Sequence, residues 1–455
     1  MPRRYLAPRA MLPSGWADDV LIVVGDDGSI ASVASGMVDV AAERLNGPVV
    51  PGMPNLHSHA FQHAMAGLTQ KAGPEGDSFW AWRELMYRFL ARLTPDDVEA
   101  IATRLYVEML EAGYTSVAEF HYLHHDPMGK PYANPVEMAE RIRSAADSAG
   151  IGLTLLPVFY AHSNFGGLAP TAGQRRFVTD TEQFSRMLDT LSASLAMHPM
   201  QRLGVAPHSL RAVAPSELQR LLEYREGMDR TMPMHIHAAE QRKEVDDCIA
   251  SLGTRPVQWL LDHAGLSECW CVIHATHMNA AETAGLASSH AVAGLCPTTE
   301  GDLGDGLFNA RPFLARGGRF GIGGDSHVCV DPFLELRLLE YGQRTKFEQR
   351  NVFGLKHAQS FGGQLYRAAC SGGAQALGRR TGAIAAGHRA DWLVLDESIA
   401  QQHDDSLLDS AIFGAVRPPV TDVMVGGQWR VRSGVHPRAA QNATRYRATL
   451  QRLLT

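Results

Sequence analysis

The stretch "RLGVAPHSLRAVAPSELQRLLEYREGMDRTMPMHIHAAE" runs from Arg202 to Glu240 and holds one complete strand, helix and strand unit. Apolar "RLGVAPHS" (202–209) reads as a strand, "PSELQRLLEYREGM" (215–228) as a helix, and "TMPMHIHAAE" (231–240) as a second strand. Pro215 suits a first helical turn, where a backbone N–H would be unpaired anyway, and Glu217 after it complements the positive end of the helix dipole. The same grammar recurs in "LTPDDVEA" at Thr94 and "ANPVEMAE" at Asn134. Further strand candidates are "TSVAEFH" (115–121), "IGLTLLPVFY" (151–160), "CWCVIHATH" (269–277), "HAVAGLCP" (290–297) and "RFGIGGDS" (319–326). With "VVPGMPNLHSH" (49–59) these make eight apolar strands, most of them separated by helical patterns. Alternation on this scale predicts an α/β fold with a parallel sheet, and eight units predict a closed (β/α)8 barrel over residues 51–379.

The two ends of the chain read differently. "DVLIVVGDDGSIASV" (19–33), "GAIAAGHRADWLVLD" (382–396) and "VTDVMVGGQWRVRSGVH" (420–436) alternate short apolar runs with Asp-Gly and Gly-Gly bends. Residues 1–50 and 380–455 are therefore expected to build one composite β-sandwich domain. A net charge of -6 offers no footprint for nucleic acid or an anionic membrane, so an anionic ligand would need local arginines. The N-terminus lacks an uninterrupted apolar run after its basic residues, and no stretch approaches the roughly 18 apolar residues of a membrane helix; a cytoplasmic enzyme is expected. Six cysteines lack paired CxxC spacing and read as reduced core residues.

In a barrel of this kind, chemistry sits at the C-terminal ends of the strands. Those ends are biased toward metal-ligating types: His57 and His59, then His235, His237 and Glu240, then His274 and His277, then Asp325 and His327. Residues i and i+2 share one side of a strand, so His57 and His59 can both face the barrel mouth. A lone HxH is more simply a hydrogen-bonded structural pair. Four independent strand ends favour a site for a divalent cation such as zinc, with a coordination position left for water.

This pattern resembles the amidohydrolase superfamily, with HxH after strand 1, His on strands 5 and 6, and Asp on strand 8. The resemblance implies metal ligands His57, His59, His237 and Asp325, with His274 beside the metal. Binuclear members bridge two ions with a carboxylated lysine on strand 4, and no lysine occurs between Pro131 and Arg242, which implies a single ion, Zn2+. "HAAE" (237–240) is similar to the HxxE of the deaminase branch, which implies a proton-shuttling role for Glu240; His274 and Asp325 would orient and deprotonate the attacking water.

The loops narrow the family. "GDSFWAWRELMYRFLARL" (76–93), "AEFHYLHHD" (118–126), "APHSLRAV" (206–213), "VIHATH" (272–277), "LGDG" (303–306) and "GGDSH" (323–327) resemble the formiminoglutamate deiminases of bacterial histidine degradation, nearly end to end. The resemblance implies a small dicarboxylate substrate clamped by Arg83 and Arg211, with Gln62, Tyr122 and His208 completing the pocket. Arginine suits that task because its planar fork binds carboxylates bidentately. Arg88 reads as a helix-surface residue, and Trp80 and Trp82 as loop packing. His63, where an arginine is expected, and Gly324, where a serine is usual, depart from the pattern. An aminohydrolase of an aromatic ring, such as a guanine-type deaminase, and a metal-free scaffold are the competing readings, and the chain is compatible with a homodimer.

Overall fold

The computed structural model describes residues 2–68, 70, 86–353, 360–396, 398 and 406–454. Five short strands open the chain: β1 (Arg3–Leu12), β2 (Gly15–Val24), β3 (Ile30–Ala34), β4 (Glu43–Arg44) and β5 (Val49–Pro51). The middle carries β6 (Met53–Ser58), β7 (Tyr114–His121), β8 (Gly152–Phe159), β9 (Gln201–Leu203), β10 (Ala206–Pro207), β11 (Met234–Ala238), β12 (Trp270–His274), β13 (Val292–Leu295) and β14 (Arg319–Ile322). Three more follow, β15 (Trp392–Leu395), β16 (Val420–Val425) and β17 (Gln428–Val431).

The middle strands form two parallel sheets. One runs β6, β7, β8, β10 with β9 also beside β8, and the other runs β11, β12, β13, β14. Isolated parallel bridges link their edges, Ser58 to Asp325 on one side and Val205 to Met234 and Ser209 to His237 on the other. β7 and β8 are buried at every residue, as strands covered on both faces must be. "RLGVAPHS" is broken into β9 and β10, and the physical reasons are local. Gly204 lies so close to Leu156 and the Pro233 carbonyl that a Cβ there would have no room, and Pro207 has no N–H to give to a ladder.

Helices cover these sheets, and those at Pro95 and Pro215 start as the sequence suggests. Thr94 caps Pro95–Ala112 by accepting from the Asp97 amide, Asp97 returns the bond, and Gly113, at φ 110°, ends the helix in the left-handed region. The helix after Asn134 starts later than expected, at Glu137, because the Asn134 side chain first accepts from the Val136 amide and holds a turn.

Both chain ends share one sheet, in the order β17, β16, β15, β5, β1, β2, β3, with β4 beside β1. β5 is the junction: it pairs in parallel with β1 and antiparallel with β15. One element departs from the β reading of residues 380–455. The segment Ala439–Leu454 is a helix packed on Pro95–Ala112, where Arg92 donates to the Leu453 carbonyl at 2.7 Å. No cysteine is disulfide-bonded; Cys248, Cys271, Cys296 and Cys370 are buried, whereas Cys269 and Cys329 are only partly so. Among the described residues no helix is long and apolar enough to cross a membrane.

Candidate active site

His57, at the end of β6, and His59 lie on one side of the strand and meet edge-on with ring centroids 4.6 Å apart. From β11, His237 brings its Nε2 to 3.1 Å from that of His57. Asp325, just past β14, places Oδ1 3.4 Å from His57 Nε2 and 3.3 Å from His59 Nε2. The other nitrogens of two rings are spoken for: His59 Nδ1 donates to the Phe120 carbonyl and His237 Nδ1 to the His208 carbonyl, both at 3.0 Å. Those bonds assign lone pairs to Nε2 of both rings, the arrangement usual for a metal-ligating histidine. Burial holds all three imidazoles below their ordinary pKa, hence neutral. The Nε2 atoms of His57 and His237 stand 3.1 Å apart and His57 Nδ1 has no hydrogen-bond partner among the described residues, so neutral imidazoles converge beside the Asp325 carboxylate, a donor set that fits a divalent ion.

Two residues of the cluster are held in an unusual backbone. Asp325 has φ 51° and His274 φ 65°, left-handed values that cost a non-glycine residue about 1–3 kcal/mol each. Asp325 is fixed there by a reciprocal pair: its amide donates to the His57 carbonyl and its carbonyl accepts from the His59 amide, both at 3.0 Å.

His274 sits between three carboxylates. Its Nε2 lies 3.7 Å from Asp325 Oδ2 and 3.9 Å from Glu240 Oε1, and its Nδ1 lies 3.3 Å from Glu300 Oε1. Burial alone would lower its pKa, but Glu240, the bond to Glu300 and Asp325 together push it up to about 10. Glu240 is buried, not solvated at a helix start. Its amide donates to buried Glu244 at 3.1 Å, which fixes the turn before the helix Arg242–Leu252. Arg211 Nη2 stands 3.5 Å from the other Glu240 oxygen, Oε2.

A recess opens over this cluster, and Gln62, Tyr122, His208, Arg211, Glu240, His274 and Asp325 all line it. Gln62 donates to the Tyr122 hydroxyl at 2.7 Å, and its buried Oε1 has no hydrogen-bond partner among the described residues. The Nε of Arg211 is likewise buried without one. Arg83, Trp80 and Trp82 lie outside the described residues.

The amidohydrolase family model matches residues 49–430, most of the chain. The chain belongs to the amidohydrolase family. Within that family, a model described as the N-terminal domain of formimidoylglutamate deiminase HutF matches residues 6–47. A formimidoylglutamate deiminase of Pseudomonas aeruginosa is 51% identical over 98% of this chain and 99% of its own length. The crystal structure of an amidohydrolase from Brucella melitensis superposes over 100% of both chains with a TM-score of 0.95 at 49% identity. An adenosine deaminase from Xanthomonas campestris with bound zinc covers 99% of this chain and 98% of its own with a TM-score of 0.81 at 22% identity, a likeness of fold alone.

Not every histidine at an amidohydrolase strand end joins the cluster. His235 shares its side of β11 with His237 but lies two residues deeper, where Nε2 donates to the Ala376 carbonyl at 2.8 Å. His277 is half-buried and lines a separate surface cleft. His327 donates to the Ser58 hydroxyl at 2.9 Å. His63 faces away from the recess, 2.8 Å from Glu108 and stacked on Tyr446. Gly324 lies under His327, whose ring leaves no room for a Cβ. Sequence reasoning missed Glu300, the partner of His274; its only local signal is the acid in the first turn of the short helix opened by Pro297.

Proposed function

We infer that this amidohydrolase deiminates N-formimino-L-glutamate, giving N-formyl-L-glutamate and ammonia. The observation that carries the substrate is the largely buried guanidinium of Arg211, in the recess and one carboxylate away from His274. A buried cation beside an open recess suits an anionic ligand, and a purine would have no use for it. Arg83 is the second carboxylate clamp in this reading, with Gln62, Tyr122 and His208 setting the reach between the two ends of the substrate.

His57, His59, His237 and Asp325 would hold one divalent ion, Zn2+, because borderline imidazole nitrogens with a single carboxylate suit it. Bound there, it lowers the pKa of a water toward about 7, so hydroxide is available at neutral pH. The remaining steps fall to side chains. His274, kept protonated among its three carboxylates, orients the water, and Asp325 takes its proton as the water oxygen bonds to the formimino carbon. Glu240 delivers a proton to the imino nitrogen, leaving an amine and a hydroxyl on the tetrahedral carbon; it then takes the hydroxyl proton and passes it to the amine, so the C–N bond breaks, ammonia departs, and the carbonyl of the N-formyl product forms.

The domain reading rests on the same geometry. With both edges of the two parallel sheets bridged, residues 51–379 are taken as a closed (β/α)8 barrel. Residues 1–50 and 380–455 are taken as the composite domain, its sheet folded on itself like a sandwich. In a flat sheet β1 and β17 would stand about 19 Å apart, four strand spacings. Instead, Tyr5 of β1 and Trp429 of β17 have ring centroids 5.8 Å apart, on either side of a small core that includes Trp392.

The test is ammonia release from formiminoglutamate beside guanine and formiminoaspartate, with metal content measured on the same preparation. Turnover of formiminoglutamate well above the other two, at one ion per chain, is expected. Turnover of guanine alone overturns the substrate reading, and two tightly held ions overturn the single-metal reading.

A further inference from the structure

We propose that Glu119 of β7 is a positioning residue that locks the His57–His59 segment into the geometry a metal requires. Its carboxylate is buried, 1% exposed, and accepts three hydrogen bonds. Oε1 takes the Ala60 amide at 2.7 Å, and Oε2 takes the Ser58 hydroxyl at 2.5 Å and the Tyr106 hydroxyl at 3.0 Å. Ser58 lies between the two histidines and Ala60 directly follows the second, so two of the three bonds grip the ligand segment itself. Ser58 passes the connection on by accepting from His327 Nε2 at 2.9 Å, two residues beyond Asp325. The neighbour of Glu119, Phe120, supplies the carbonyl that orients His59. One strand thereby fixes His59 through its backbone and the segment around it through one side chain.

A glutamate that only filled a polar gap in the core would need donors, but not these donors. Burial of a carboxylate is expensive even when it is hydrogen-bonded, and burial pushes this one up to about 7 against its three bonds, so another residue would be the more stable choice if packing were its purpose. Groups that hold metal ligands in place typically contribute 10- to 100-fold in metal affinity or activity.

The inference rests on the metal reading above, and the experiment separates the two. Zinc-loaded enzyme is titrated with a chromophoric chelator for wild type, Glu119→Gln, Ser58→Ala and Tyr106→Phe, and the visible spectra of the cobalt-substituted forms are recorded. Tyr106→Phe is the control, since its hydroxyl touches the same carboxylate from the helix Pro95–Ala112 without touching the ligand segment. Zinc affinity is expected to fall about 10- to 100-fold in Glu119→Gln and Ser58→Ala, with shifted cobalt bands, and to stay near wild type in Tyr106→Phe. Wild-type zinc affinity and cobalt spectra in the first two variants would overturn the proposal, as would an equal loss in Tyr106→Phe. Should Glu119→Gln fail to fold, Ser58→Ala decides alone. If wild type itself holds no stoichiometric metal, the metal reading falls and takes this inference with it.

Discussion

Glu240 and Arg211 touch, yet they are asked to act on opposite ends of a substrate. Replacing Glu240 with Gln leaves the four proposed ligand side chains untouched, so metal content is expected to hold while kcat falls by about 10²- to 10⁴-fold, the usual contribution of a general acid or base. Near wild-type kcat in that variant would remove the shuttle role. Arg211→Met should lower kcat/KM for formiminoglutamate by roughly one and a half to three and a half decades, since losing one partner of a buried charge pair costs about 2–5 kcal/mol. A small neutral formamidine has no carboxylate to lose, so its kcat/KM should fall far less; equal losses would mean that Arg211 serves Glu240, 3.5 Å away, and not the substrate. That His57 and His59 face one side was legible because a strand puts i and i+2 together, whereas choosing His237 over His235 and adding Asp325 took the family resemblance. Glu300 and Glu119 were not legible, because each acts on a residue of another element and only the assembled fold brings them together.

At the scale of elements, the same substitution should have opposite signs in two helices. Gly372, in Phe361–Leu377, lies where a Cβ would come 1.9 Å from the Phe320 carbonyl of β14. Alanine gains about 1 kcal/mol in helix propensity there, but the obstacle is backbone, and overpacking costs about 1–3 kcal/mol or more. Gly372→Ala is therefore expected to destabilise. Gly227, in Pro215–Met228, has nothing within 4 Å of such a Cβ, and Gly227→Ala should stabilise by about 0.4–1 kcal/mol. Urea midpoints of the two variants check this, and a stabilised Gly372→Ala would mean that the helix can move off the sheet. The helices and the repeating unit could be read from periodicity and caps. Harder to read were the break in "RLGVAPHS", set by how closely Leu156 and Pro233 approach Gly204, and the helix Ala439–Leu454, whose packing on Pro95–Ala112 is tertiary.

Over the whole molecule, the response to acid depends on groups that folding forces to stay neutral, and His124 isolates one of them. It is 2% exposed, its Nε2 donates to the Val158 carbonyl at 2.8 Å, and burial lowers its pKa from 6.5 to about 4 against that bond. Between those values the unfolded chain binds a proton that the folded chain refuses, so stability rises with pH across the window. The contribution is complete above about 6.5 and is lost as pH falls toward 4. Glu119 works in the opposite sense, since its raised pKa lets the folded state take up a proton more readily, and metal loss in acid adds a third slope. Neither depends on His124, so comparison with His124→Gln, which can still donate to Val158, cancels both. The stability difference between wild type and variant should shrink by about 2 kcal/mol from pH 8 to pH 5, read from urea unfolding of the metal-loaded protein at each pH. Parallel curves over that range would mean that the His124 proton is not excluded by folding, and that the polar layer behind β7 is wetter than its burial implies.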